Sequence, residues 1–206
     1  MRTGRVEAFS DGVIAILITV MVLELHVPKE PTWAALGHVT PVLLAYLLSF
    51  IYLGIYWNNH HHLLSRATRV RGPVLWANLH LLFWLSLVPF ATSWLSETGF
   101  ATVPMAAYGV LLLLAAGAFT LLTRTLVKSN GGQSSEIAVA IGRNVKGNIS
   151  LVLYCVGIAL AFVNQWLGIV LYAIVALIWL VPDPRLERRD AQADEPVDSE
   201  EAAARP

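Results

Sequence analysis

Arg5-Val6-Glu7-Ala8-Phe9-Ser10-Asp11-Gly12-Val13-Ile14-Ala15-Ile16-Leu17-Ile18-Thr19-Val20-Met21-Val22-Leu23-Glu24-Leu25 is an apolar run with acids near both ends. A helix needs about 20 mostly apolar residues to cross a bilayer, because in lipid only a helix satisfies its own backbone polar groups. The run is too long for the apolar core of a signal peptide and shows no small-residue cleavage site. Glu24, Leu25 and His26 close it instead. The stretch from Phe9 to Val27 is therefore predicted to be a mature membrane helix.

Five further stretches read the same way: Val39 to Trp57, Val74 to Leu95, Met105 to Thr123, Ile149 to Val163 and Leu167 to Val181. The fifth is predicted to extend back to about Glu136, with Ser134 or Ser135 as N-cap after the Asn130-Gly131-Gly132 turn. Composition agrees: 56% of the 206 residues are hydrophobic and 14% charged, with mean hydropathy +0.62. A soluble domain carries about 25% charged residues. The single cysteine, Cys155, excludes an intrachain disulfide framework and thiolate metal sites.

Basic residues set the expected orientation. The N-terminus, the loops after the second and fourth spans, and the C-terminal tail hold 13 of the 14 Lys/Arg; the other three loops hold only Lys29. The expected fold class is therefore an all-α integral membrane protein of six transmembrane helices, both termini cytoplasmic. Residues 1–182 form the membrane domain, with ten Lys/Arg against six Asp/Glu. Residues 183–206, with four against eight, read as a disordered acidic cytoplasmic tail. Neither balance points to a nucleic-acid partner.

Several residues could carry chemistry. Asp11 and Glu24 sit at the two edges of the first span, where an ionisable group faces a partner or water; helix capping and interfacial snorkelling are their structural alternatives. Ile16, Val20 and Leu23 share one helix face beside Thr19. Such a stripe either packs or faces lipid, or, in several copies around an axis, forms a dry constriction. In Asn58-Asn59-His60-His61-His62, adjacent histidines point in different directions, so the three cannot bind one metal together. Asn78 and His80, with Trp76 and Trp84, suit interhelical bonding in the third span. There is no phosphate loop, no GxGxxG, no GxSxG and no TVGYG. Pro41 and Pro89 interrupt the second and third spans without suggesting an inverted repeat.

Arg5, then Phe9-Ser10-Asp11-Gly12, then the apolar run through Thr19 to Leu23, resembles the signature of the transmembrane protein 175 family of potassium channels. The resemblance covers about residues 1–182 and points to the prokaryotic branch with one six-helix repeat. It implies a homotetramer in which the first helix of each chain lines a central pore without a carbonyl filter. Ile16, Val20 and Leu23 would form a hydrophobic gate, and Thr19 would take the position linked to selectivity. Arg5, Phe9, Ser10 and Asp11 would belong to an interhelical network near the cytoplasmic mouth. Val20 stands where a bulkier leucine is expected, which implies a wider second ring.

Position alone suggests that four copies of Glu24 attract cations at the outer mouth. The expected function is passive, potassium-preferring conduction, with potassium ions and the lipid bilayer as partners, no cofactor, no metal and no enzymatic activity. A multi-pass bacterial plasma-membrane protein is the expected setting. Two other readings stay open: a proton-coupled carrier using Asp11, Glu24 and His80, and a membrane enzyme with a histidine metal site.

Overall fold

A computed structural model of the chain describes residues 3–141 and 145–180. The elements are helices throughout these residues: α1 (Thr3–Leu23), α2 (Trp33–His38), α3 (Thr40–Ser65), α4 (Gly72–Ser86), α5 (Val88–Glu97), α6 (Thr102–Ser129), α7 (Glu136–Ile141), α8 (Val145–Ala161) and α9 (Gln165–Leu180), with a 3-10 turn at Gly132–Ser134. The expected tail, residues 183–206, lies outside the described residues, as does the 142–144 segment that would join α7 to α8 in one long helix.

Four segments are long and apolar enough to cross a membrane: α1, α3, α4 with α5, and α6. Helices α8 and α9 are apolar but have 17 and 16 residues, or about 25 Å each against a hydrocarbon core of about 30 Å.

The helices depart from the expected apolar stretches: α1 starts at Thr3, ahead of Phe9, and stops at Leu23, short of Val27. Helix α3 continues through His60 to Ser65, and α6 through Arg124 to Ser129. Pro41 stands in the first turn of α3, where a missing N–H costs nothing, so it does not interrupt that helix. Pro89 does mark a break. It cannot donate to the Leu85 carbonyl, which instead accepts from Leu87, and α5 starts afresh at Val88. Leu87 keeps a right-handed helical backbone, so the two helices run on as one apolar segment, Gly72–Glu97.

The core is apolar with a few buried hydroxyls. Helices α6, α8 and α9 pack through small residues, which lets their backbones approach closely. The fully buried Tyr172 of α9 lies across Gly109 of α6 and Gly157 of α8. A Cβ at Gly109 would fall on its hydroxyl, and one at Gly157 would stand 2.6 Å from its ring. The Tyr172 carbonyl accepts from the Tyr52 hydroxyl at 2.6 Å, fastening α9 to α3.

A second tie joins α3, α5 and α6. Ser49 Oγ lies 2.7 Å from Thr92 Oγ1 and 2.9 Å from the Tyr108 hydroxyl. Thr92 commits its one proton to the Val88 carbonyl at 2.7 Å, so the chain runs Tyr108 to Ser49 to Thr92, each donating to the next. Every hydroxyl in it is satisfied although buried, which removes the penalty for an orphaned polar group in an apolar core.

The turn from α5 to α6 uses positive φ at Gly99 and also at Phe100, where φ is 63°. Phe100 N–H closes the end of α5 on the Leu95 carbonyl at 2.9 Å, and its buried ring sits 5.7 Å from that of Trp166. Packing holds a conformation that a β-carbon disfavours.

Candidate ion pathway

Helix α1 has two unlike faces. Val6, Ser10, Ile14, Leu17 and Met21 are buried against α3, α4 and α5. Opposite them lie Phe9, Gly12, Ile16, Thr19, Val20 and Leu23, all exposed within the single chain and gathered in an arc of about 100° at 3.6 residues per turn. Ile16 is 61% exposed, Val20 37% and Leu23 81%. Within one chain Leu23 is the least covered of the three and Val20 the most. Thr19 shows how a hydroxyl can sit on such a surface: its Oγ1 donates to the Ile16 carbonyl at 2.8 Å within the same helix.

The N-terminal half of α1 is held by polar side chains. Thr3 Oγ1 donates to the Ala67 carbonyl at 3.0 Å. Glu7 Oε1 and His61 Nδ1 lie 2.6 Å apart, within hydrogen-bond distance, at a partly exposed position. The fully buried Ser10 donates to the Val6 carbonyl at 2.8 Å and accepts from Asn78 Nδ2 at 2.9 Å. The Asn78 Oδ1 lies 2.7 Å from His60 Nε2. An amide oxygen only accepts, so His60 carries its proton on Nε2. One chain of bonds thus crosses α3, α4 and α1.

Two acceptors are left over beside it. Asp11 Oδ1 and His60 Nδ1 are both buried without a hydrogen-bond partner. Phe9 and Arg5 are exposed, so of the four signature residues Ser10 makes the interhelical bonds and Asp11 lies next to them.

At the far end, Glu24 is exposed and accepts from Ser93 at 3.5 Å, the long limit of such a bond. It borders a crevice with His26, Tyr46, Thr92 and Glu97. Of the proposed proton-relay residues, His80 faces outward from α4 and accepts from Trp84 of its own helix at 2.9 Å. No bond links it to Asp11 or Glu24. The three histidines diverge: His60 is buried, His61 pairs with Glu7, and His62 is exposed, 5.5 Å from the His61 ring. No group of three or more His, Cys, Asp or Glu is placed to hold a metal among the described residues.

Sequence reasoning assigned Asn78 to interhelical bonding without finding its partners, Ser10 and His60. They lie 68 and 18 positions away, and no local pattern links such separations.

A family profile described as "Endosomal/lysosomal potassium channel TMEM175" matches residues 5–89, from α1 through α4 to the start of α5. The chain is 51% identical over 188 residues to a potassium channel of Chryseobacterium sp. (strain P1-3), covering 91% of this chain and 97% of that one. It is 32% identical over 202 residues to a potassium channel of Streptomyces collinus, covering 93% and 98%. Its structure superposes with a TM-score of 0.76 on the crystal structure of a lysosomal potassium-selective channel TMEM175 homolog from Chamaesiphon minutus, at 32% identity over 86% of this chain and 96% of that one.

Proposed function

The chain belongs to the TMEM175 family of membrane channels, and from that premise we propose that it conducts potassium ions passively across a bacterial plasma membrane. Four copies surround a central axis, each contributing the outward arc of α1. Ile16 forms the narrowest ring, with Val20 and Leu23 as the next layers and Thr19 beside them tuning preference among cations. With α8 and α9 completing the crossing begun by the four longer segments, each chain has six spans and both termini on the cytoplasmic side. There is no TVGYG sequence to supply a carbonyl filter.

One observation carries this reading: α1 leaves an apolar stripe, Ile16 with Val20 and Leu23, uncovered by its own chain, although its other face is fully packed. Facing copies of that stripe make a constriction that water enters only when it widens. Glu24 adds negative charge where the stripe ends, raising cation concentration at the outer mouth. Neutralising it in Glu24→Gln should lower current at low ionic strength and leave it unchanged at high; equal current at both would remove Glu24 from this role.

The test is cation flux from proteoliposomes under a potassium gradient, repeated with sodium, beside Ile16→Asn. Potassium-preferring flux is expected, with higher conductance and reduced preference in the variant. Unchanged reversal potentials in Ile16→Asn would remove Ile16 from the constriction. Slow, saturating, pH-coupled flux without unitary currents would replace the channel by a carrier.

A further inference from the structure

We propose that the chain carries a binding site for an anionic phospholipid headgroup at the end of the bundle where α4 begins and α6 finishes. This inference rests on the membrane setting of the fold, not on conduction.

The cleft there is lined by Arg71, Pro73, Arg124, Thr125, Lys128 and Ser129. Three of the six carry positive charge and none is acidic. Arg71, Arg124 and Lys128 make no side-chain hydrogen bond or ion pair with any described residue. Like charges gathered without a counter-ion repel one another, so an anion between them relieves an existing cost.

The cleft is also preorganised. Asn130, at the end of α6, uses its Oδ1 to accept from Thr68 N–H, Thr68 Oγ1 and Arg69 N–H at 3.0, 3.0 and 2.9 Å. Its Nδ2 donates to the Arg69 carbonyl at 3.1 Å and to the Leu126 carbonyl at 2.9 Å. One side chain therefore staples the loop before α4 to the last turn of α6, and Arg71 is held two residues from that staple. Arg71 is also the N-cap of α4, where the helix dipole favours negative charge.

The surroundings favour a lipid over a soluble anion. One turn further into the apolar segments, about 5 Å deeper, Trp76 follows Pro73 and Leu121 precedes Thr125. Trp76 is 74% exposed and Leu121 47%. A tryptophan at that depth suits the interface, and an apolar shelf under a cationic cleft suits acyl chains hanging from a phosphate. A phosphate with no chains would leave that shelf unused.

The test uses the purified full-length chain, titrated with phosphatidylglycerol or phosphatidylcholine, with bound lipid counted by native mass spectrometry. Phosphatidylglycerol should be retained about tenfold over phosphatidylcholine. Arg71→Gln with Arg124→Gln and Lys128→Gln should abolish the preference. Arg71→Lys with Arg124→Lys, which keeps the charge, and Lys29→Gln, outside the cleft, should both keep it. Equal retention of the two lipids, or a preference that survives the triple substitution, would overturn the proposal. So would displacement of the lipid by inorganic phosphate at constant ionic strength, or a preference that appears only once residues 183–206 are removed, since the acidic tail would then be the occupant. Lipid retention is read without ion flux, so failure here and failure of the channel reading are distinguishable.

Discussion

Asn78 donates to Ser10 Oγ at 2.9 Å across the seam between α4 and α1, while its amide oxygen accepts from His60 of α3. Three helices meet on one side chain, in a region where every participant is buried. Interhelical bonds of this kind hold membrane bundles together because helices gain little from burying apolar surface against apolar lipid.

Removing one end of that chain should be costly and the costs should not add. Ser10→Ala leaves Asn78 Nδ2 without an acceptor, and Asn78→Ala leaves both Ser10 and His60 short of a partner. Each should lower stability in detergent by about 1–3 kcal/mol. A double-mutant cycle should return a coupling of about 0.5 kcal/mol or more. Additive losses in thermal unfolding would mean the two residues act separately.

Thr19→Val should separate selectivity from folding. The threonine hydroxyl bonds only to its own helix, at the Ile16 carbonyl, so its loss should change stability by less than about 0.5 kcal/mol. If the α1 arc is the ion path, the reversal potential between potassium and sodium should move. An unchanged potential in a stable Thr19→Val protein would take Thr19 out of the path.

Gly157→Val tests the packing of α6, α8 and α9. Even a β-carbon at this position meets the Tyr172 ring at 2.6 Å, and Tyr172 is pinned from the other side by Tyr52 on its carbonyl. Overpacking should cost about 1–3 kcal/mol, read as a lower unfolding temperature. Gly117→Ala is the contrast, because a Cβ there has open space; it should be neutral or stabilising.

Asn130→Ala should free the loop ahead of α4. Thr68 and Arg69 lose the acceptor of their amide protons, so hydrogen exchange at those two amides should accelerate by about tenfold or more, as for a local opening whose bond is worth about 1 kcal/mol or more. Exchange in α3 should stay as it was. Uniformly faster exchange throughout would indicate global destabilisation instead.

The sequence carried the family and the helical membrane character because both are written locally. Apolar runs of membrane-spanning length need no tertiary knowledge, and Arg5 with Phe9-Ser10-Asp11-Gly12 lies within two helical turns. Helix ends were less legible. His60, Asn59 and Arg124 are polar, so an apolar run stops before them, but α3 continues because Asn59 and His60 bond to the Ile55 carbonyl and to Asn78, and α6 continues with Arg124 exposed. Pro89 was legible as an interruption; that the segment still runs on depends on Leu87 keeping a helical backbone, which composition does not encode. The partnership of Ser10, Asn78 and His60 had no local signature at all. In a run of three histidines, only the packed fold shows which one turns inward.

Helix α1 is anchored unevenly. Its polar fastenings, at Thr3, Glu7 and Ser10, all lie in the N-terminal half, while beyond Ser10 the packed face offers Ile14, Leu17 and Met21 and only long contacts, Thr92 to the Met21 sulfur at 3.9 Å and Ser93 to Glu24 at 3.5 Å. Mechanically this is a cantilever about 20 Å long from clamp to tip. Directional bonds fix the root, whereas the rest of the rod is held by the packing of Ile14, Leu17 and Met21. The tie is therefore tightest beside Gly12 and slackest at Leu23, which is 81% exposed.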